Sequence, residues 1–95
     1  MHIISRKALR LFWEKHPDSQ ASLIRWFRVV RNTQFGSFAE IRAVFPSADL
    51  VGKWVIFNIG GNKYRLISSV HFNRGKLYVR AVLTHREYDE EKWKK

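Results

Sequence analysis

The rhythm of hydrophobic and polar positions changes halfway along this chain. In the first half, apolar residues recur at three- and four-residue steps, the period of helices packed on one side. Ala8, Leu9, Leu11, Phe12 and Trp13 keep that step up to about Lys15, with Ser5 as the expected N-cap. Pro17 ends this helix, because the residue before a proline is pushed out of the helical region. Asp18 and Ser19 offer fresh caps, and Leu23, Ile24, Trp26, Phe27 and Val30 resume the amphipathic pattern. Arg25, Arg28 and Arg31 share its wetter face. Ser37 and Glu40 make an S-x-x-E capping box before a short helical piece that Pro46 closes, and residues 46–49 read as loop.

From Trp54 the period drops to two. Trp54–Ile59 is rich in β-formers, and Gly60, Gly61 and Asn62 signal a hairpin whose loop length leaves its register open. Residues 64–72 form the next strand, with Tyr64, Leu66, Val70 and Phe72 on one side. Residues 73–76 are a second turn, and residues 77–83 a third strand with Leu77, Val79, Ala81 and Leu83 as its apolar set. Thr84 and Glu87 form a T-x-x-E box that opens a short helix running to about Lys94. Residues 2–4 are expected to add a short opening strand. The expected fold is one α+β domain over residues 1–95. It has a small antiparallel sheet of three to four strands, N-terminal helices on one face and a short C-terminal helix.

A four-residue loop over 73–76 sets Phe72 opposite Leu77, Val70 opposite Val79, Ser68 opposite Ala81 and Leu66 opposite Leu83. On the other side Ser69 then meets Arg80, and Arg65 meets Thr84. Arg65 thereby points out of the open sheet face beside the start of the last helix. His85, Tyr88 and Lys92 lie at steps that share one face of that helix. The expectation is that Arg65, Arg80, His85, Tyr88 and Lys92 converge on one rim.

Charge sharpens the picture. Eighteen Lys and Arg face eight Asp and Glu, a formal net charge of +10. Such a balance favours nucleic acid, an anionic membrane surface or an acidic partner. The chain has no cysteine, which removes disulfides and Cys-based zinc sites from consideration. No apolar run approaches the roughly 20 residues of a membrane span, and no signal peptide is legible, so a cytoplasmic setting without membrane contact is expected.

The rim suits RNA cleavage by the neighbouring 2′-hydroxyl. That reaction needs a base for the 2′-OH proton, cations over the phosphate, and an acid for the departing 5′-oxygen. Histidine serves as base or acid near neutral pH. Arginine forks onto phosphate oxygens, and tyrosine hydrogen-bonds or stacks a base. Each residue also has a plainer explanation. Arg65 and Arg80 also fit solvated or salt-bridged arginines, His85 a polar helix end, Tyr88 a packed ring and Lys92 a solvated tail. His2, His16 and His71 are scattered, without metal-ligand spacing, and no metal or cofactor is expected.

Residues 57–67, Phe-Asn-Ile-Gly-Gly-Asn-Lys-Tyr-Arg-Leu-Ile, resemble the central hairpin of HigB-family toxins of the RelE/ParE superfamily. Residues 78–89, with Thr-His-Arg-Glu-Tyr-Asp at 84–89, and the later Trp93-Lys94 resemble their closing strand and helix. The start Met1-His2-Ile3-Ile4, residues 12–17 and residues 44–49 also look familial. The resemblance implies a RelE-like fold and an mRNA interferase that cuts translated messages on the ribosome. It also implies a cognate helix-turn-helix antitoxin of the HigA type. Carried over, Arg65 matches the arginine used on the scissile phosphate, and residues 84–88 match the region supplying a later arginine or histidine and a tyrosine. RelE has no histidine at the place of His85, so base and acid stay unassigned. Lys53 and Lys63 are the candidates for the lysines of the RelE cleft, and Arg80, Arg86 and Lys92 for further RNA contacts. Two other readings remain: a ParE-like gyrase inhibitor of the same fold, and a non-catalytic RNA- or DNA-binding module.

Overall fold

The computed structural model describes residues 1–94. Its elements run β1 (His2–Ile4), α1 (Lys7–Lys15), a 3-10 turn (Pro17–Ser19), α2 (Gln20–Arg31), α3 (Phe38–Val44), β2 (Asp49–Val51), β3 (Trp54–Ile59) and β4 (Tyr64–His71). A 3-10 turn (Phe72–Arg74), β5 (Lys76–Thr84), α4 (His85–Asp89) and a last 3-10 turn (Lys92–Lys94) complete it. Among these residues the sheet has five strands in the order β1-β5-β4-β3-β2. No helix among them is long and apolar enough to cross a membrane.

The helix-then-sheet α+β order is as expected, with a wider sheet. Residues 49–51, expected to begin in a loop, pair antiparallel with β3 as Asp49↔Ile56 to Val51↔Trp54. The opening strand lies parallel to β5, His2↔Lys76 to Ile4↔Tyr78, which makes the sheet mixed. The helices cover one face. Leu9 and Phe12 of α1, Leu23, Trp26 and Val30 of α2, and Ile41 of α3 pack with Val55, Phe57, Leu66, Leu77 and Val79. These helix residues are the apolar positions at helical spacing, so burial of each stripe is what docks the helices.

Local details depart from the expected caps. Ser5 sits at φ 72° rather than capping α1, whose N-cap Arg6 makes no side-chain capping bond. Ser19 precedes α2, but its hydroxyl donates to the His16 carbonyl at 2.7 Å. Asp18 turns away from the helix start and accepts from Tyr64 Oη at 2.7 Å and Lys63 Nζ at 3.2 Å. The Ser37 cap and the Thr84–Glu87 capping box form.

The β4–β5 hairpin differs most. Its turn absorbs Phe72, so Val70 faces Leu77 and Ser69 faces Tyr78, not Arg80. A β-bulge then falls between Ser68↔Val79 and Ile67↔Ala81, with Arg80 the extra residue. The pairing beyond it is Leu66↔Val82 and Arg65↔Leu83, where Thr84 was expected opposite Arg65. A bulge flips every later side chain relative to strict alternation. Val82 therefore joins the helix-side core, while Ala81 and Leu83 move to the outer face.

The last helix is also shorter than expected. Glu91 at φ 61° breaks it after Asp89, and the chain turns back so that Trp93 lies on the outer sheet face. There Trp93, Ile56 and Ile67 form a second small core, flanked by Trp54, Ala81, Leu83 and Tyr88.

Candidate active site

The β3–β4 loop and the start of α4 meet at one corner. The first hairpin closes through four residues, 60–63, with Gly60 and Gly61 at φ 61° and 70°. Those left-handed conformations are what glycine permits at little cost. The resulting register sets Asn58 against Arg65 and Ile59 against Tyr64. Across β4, Tyr64 pairs with Thr84, and the His85 backbone N–H donates to the Lys63 carbonyl at 3.2 Å. The start of α4 is thereby fastened to the hairpin. The capping box fixes where the helix begins: Glu87 N–H donates to Thr84 Oγ1 at 3.2 Å, and Thr84 N–H to Glu87 Oε1 at 2.9 Å.

Arg65 is half-buried on the outer face of β4. Its Nη1 donates to the Asn62 and Tyr64 carbonyls at 3.1 and 3.2 Å, and its guanidinium lies 5.5 Å from the centre of the Tyr88 ring. Two backbone acceptors and an aromatic face hold the planar group while leaving donors for a ligand. Tyr88 is stacked in turn on Trp93, with centroids 5.0 Å apart and planes 12° apart. The Trp93 indole N–H donates to the Tyr88 carbonyl at 2.9 Å. Burial, then the charge of Asp49, pushes the Tyr88 phenol above its usual value, against the opposing pull of Arg65 and Lys94. The phenol therefore carries its proton at neutral pH.

His85 is exposed, and its Nδ1 lies 2.9 Å from Asp89 Oδ2, one helical turn on. A carboxylate at Nδ1 favours the tautomer with the proton there and leaves Nε2 free to accept. Asp89 was absent from the expected site, although its i,i+4 spacing from His85 is visible in the sequence. Asp49 carried no such signal, because its strand read as loop.

The other expected residues divide. Lys53 and Arg80 sit away from this corner, with Lys53 Nζ 4.8 Å and the Arg80 guanidinium 5.7 Å from the centre of the Trp54 ring. Lys92 is exposed and lines a depression along β5 with Arg80, Ala81, Leu83, Glu87 and Trp93. Lys63 turns to Asp18, and Arg86 is exposed on α4. The single rim is thus divided: Arg65 lies over Tyr88, and His85 pairs with Asp89 on the helix that starts at the same corner, whereas Lys53 and Arg80 lie over Trp54. Among the described residues no three His, Asp or Glu side chains gather as a metal-ligand set.

Comparison with known proteins bears on this corner. The family model of the HigB toxin, described as the RelE-like toxic component of a toxin–antitoxin system, matches residues 19–91. The mRNA interferase toxin HigB of Escherichia coli (strain K12) is 38% identical over 92 residues, covering 94% of this chain and 88% of that protein. The mRNA interferase HigB of Shigella flexneri is likewise 38% identical over 92 residues, with the same coverage of 94% and 88%. The mRNA interferase HigB of Escherichia coli O6:H1 is 32% identical over 93 residues, covering 95% and 90%. The family match includes both strands of the central hairpin and all of α4. On that extent of similarity, over a RelE-like α+β fold, this chain belongs to the HigB family of RelE-like toxins.

Proposed function

We propose that this protein is an endoribonuclease, the toxin of a type II system, which cleaves translated mRNA on the ribosome through metal-independent attack of a 2′-hydroxyl on the adjacent phosphate. The observation that carries the proposal is the Arg65 guanidinium stacked on Tyr88 at the corner where Asp89 holds the His85 ring. Arg65 forks onto the non-bridging phosphate oxygens, where negative charge grows as phosphorus becomes five-coordinate. His85 Nε2 takes the 2′-OH proton, and Asp89 steadies the cation that forms. The 2′-O–P bond forms as the P–O5′ bond breaks, and the Tyr88 phenol supplies the proton to the departing 5′-oxygen. The products are a 2′,3′-cyclic phosphate and a 5′-hydroxyl end. Lys53, Arg80, Arg86 and Lys92 contribute positive potential along the RNA path, whereas Lys63, tied to Asp18, contributes less.

The family description supports a cognate antitoxin as the second partner. We take it to be a HigA-like helix-turn-helix protein, and both partners to act in the cytoplasm where messages are translated. The test is cleavage of mRNA on programmed ribosomes by purified protein. Wild type yields cyclic-phosphate ends, and cleavage persists with EDTA once ribosomal magnesium is compensated. Arg65→Ala and His85→Ala lose both cleavage and growth inhibition while circular dichroism stays native. Full toxicity in both variants refutes the assignment. Gyrase inhibition without cut RNA supports the ParE-like alternative instead.

A further inference from the structure

The second cluster has no role in bond breaking, yet its side chains are arranged along one row of the sheet. Val55 pairs with Ser68, and continuing that register sets Trp54 across from Ser69, which pairs with Tyr78. All three point to the outer face, since Val55, Ser68 and Val79 between them face the helices or are buried. Two aromatic residues therefore stand two strand spacings apart, about 10 Å, over a serine floor. Trp54 and Tyr78 are both partly exposed. His71 adds an edge to this trough, with its ring 5.1 Å from Tyr78 and its Nε2 3.5 Å from Ser69 Oγ.

Cations border the same trough. Lys53 and Arg80 both lie over the Trp54 ring, and the bulge at Arg80 keeps its side chain on this face together with Ala81 and Leu83. Aromatic faces interleaved with cations on an open sheet are how single-stranded nucleic acid is held: bases stack on rings while Lys and Arg take the phosphates. Ser69 lies four residues along β4 from Arg65, about 13 Å at strand rise. Beside the C-terminal turn a depression runs from Arg80 along Ala81 and Leu83 to Lys92 and Trp93, and the carboxylates of Glu87 and Glu90 also line it.

We infer that Trp54, Tyr78, Ser69 and His71 form a base-binding subsite for a nucleotide flanking the scissile link, with Lys53 and Arg80 on its phosphates. The inference rests on the nuclease reading for what the subsite serves, although binding can be measured without cleavage. When RNA arrives, a base stacks on the Trp54 ring in place of the cation over it in the free protein, and Arg80 and Lys53 take the backbone. Ser69 and His71 offer hydrogen bonds to the base edge, so this trough contributes to sequence preference.

The experiment uses the full chain and a fluorescein-labelled, 2′-O-methylated RNA oligonucleotide, which cannot be cleaved, followed by fluorescence anisotropy. Trp54→Leu keeps apolar bulk over the second core but removes the stacking face. It weakens binding about 5- to 150-fold, the range for loss of one stacked base, and Trp54→Tyr restores most of it. Arg80→Ala, at an exposed position that does not endanger folding, lowers the salt slope by about one. On programmed ribosomes Trp54→Leu raises KM more than it lowers kcat. Unchanged oligonucleotide affinity in both Trp54→Leu and Arg80→Ala overturns the subsite, whatever cleavage does. If wild type binds the oligonucleotide through Trp54 but cuts no message, the subsite stands and the nuclease reading falls. If wild type cuts while Trp54→Leu binds and cuts like it, the reverse holds. An acidic antitoxin segment as the true occupant would give that same indifference of RNA binding to Trp54, and would likewise overturn the proposal.

Discussion

Trp93 is the residue through which stability and the proposed catalytic corner are joined, and its replacement makes a quantitative test. Its side chain is 7% exposed, lies on Ile56 and Ile67, stacks on Tyr88 and donates its N–H to the Tyr88 carbonyl. A buried indole removes about 200 Å² from water, worth about 5 kcal/mol at 25 cal/mol/Å² as an upper bound. Residual burial in the unfolded chain lowers that figure, and the turn carrying Trp93 can settle into part of the space left behind. A loss of about 3 kcal/mol is therefore expected for Trp93→Ala, a large share of the roughly 5–14 kcal/mol of a domain this size. Trp93→Phe keeps the ring contacts but loses the hydrogen bond, and should cost about 1 kcal/mol. Thermal unfolding followed by circular dichroism should fall by roughly 12–24 °C for the alanine variant and 4–8 °C for the phenylalanine variant. Cleavage on ribosomes, measured well below both melting points, should fall for Trp93→Ala, because Tyr88 loses its stacking partner and Arg65 loses a fixed ring to rest on. A melting point within about 4 °C of wild type for Trp93→Ala refutes the claim that this ring anchors the outer face. A large loss of stability with undiminished cleavage refutes its link to Tyr88.

Two further outcomes follow from the polar contacts. Asp89→Asn should lower kcat about tenfold or more with little change in KM, because it unsettles the His85 tautomer without touching RNA binding; a stopped-flow comparison with wild type checks this. Asp18 is held below its usual value of 3.8, first by the Tyr64 hydroxyl and then by Lys63. A carboxylate with a lowered folded-state pKa lends stability that is present above its unfolded value and lost as pH falls through the folded one. Acid unfolding below about pH 3.8 should accordingly begin at higher pH in Tyr64→Phe, and the Asp18 carboxyl should titrate closer to 3.8 by NMR; an unchanged titration would remove the Tyr64 contact from the account.

The helices, the strands from Trp54 onward, the Ser37 cap, the capping box at Thr84, and Arg65 on the outer face were legible in the sequence, whereas Glu40 bonds the Gly36 N–H and does not close the expected box on Ser37. Each rests on a short-range rule: side-chain period, cap chemistry, or the φ restriction imposed by proline and permitted by glycine. The placing of His85 beside the hairpin also followed, since strand order and a capping box set where α4 starts. What tertiary packing decided was register and coverage. The bulge at Arg80 has no local signature, because Leu77, Val79, Ala81 and Leu83 alternate without a break. It is selected because Val82 fills space beneath the helices while Ala81 and Leu83 gain cover from Trp93, a balance between two cores that no single strand encodes. The same cover divided the expected rim in two, and the pairing of β2 with β3 set Asp49 where its charge reaches Tyr88. Such contacts are set by where distant segments come to rest, whereas the chemistry of each cluster was carried by residues already visible along the chain.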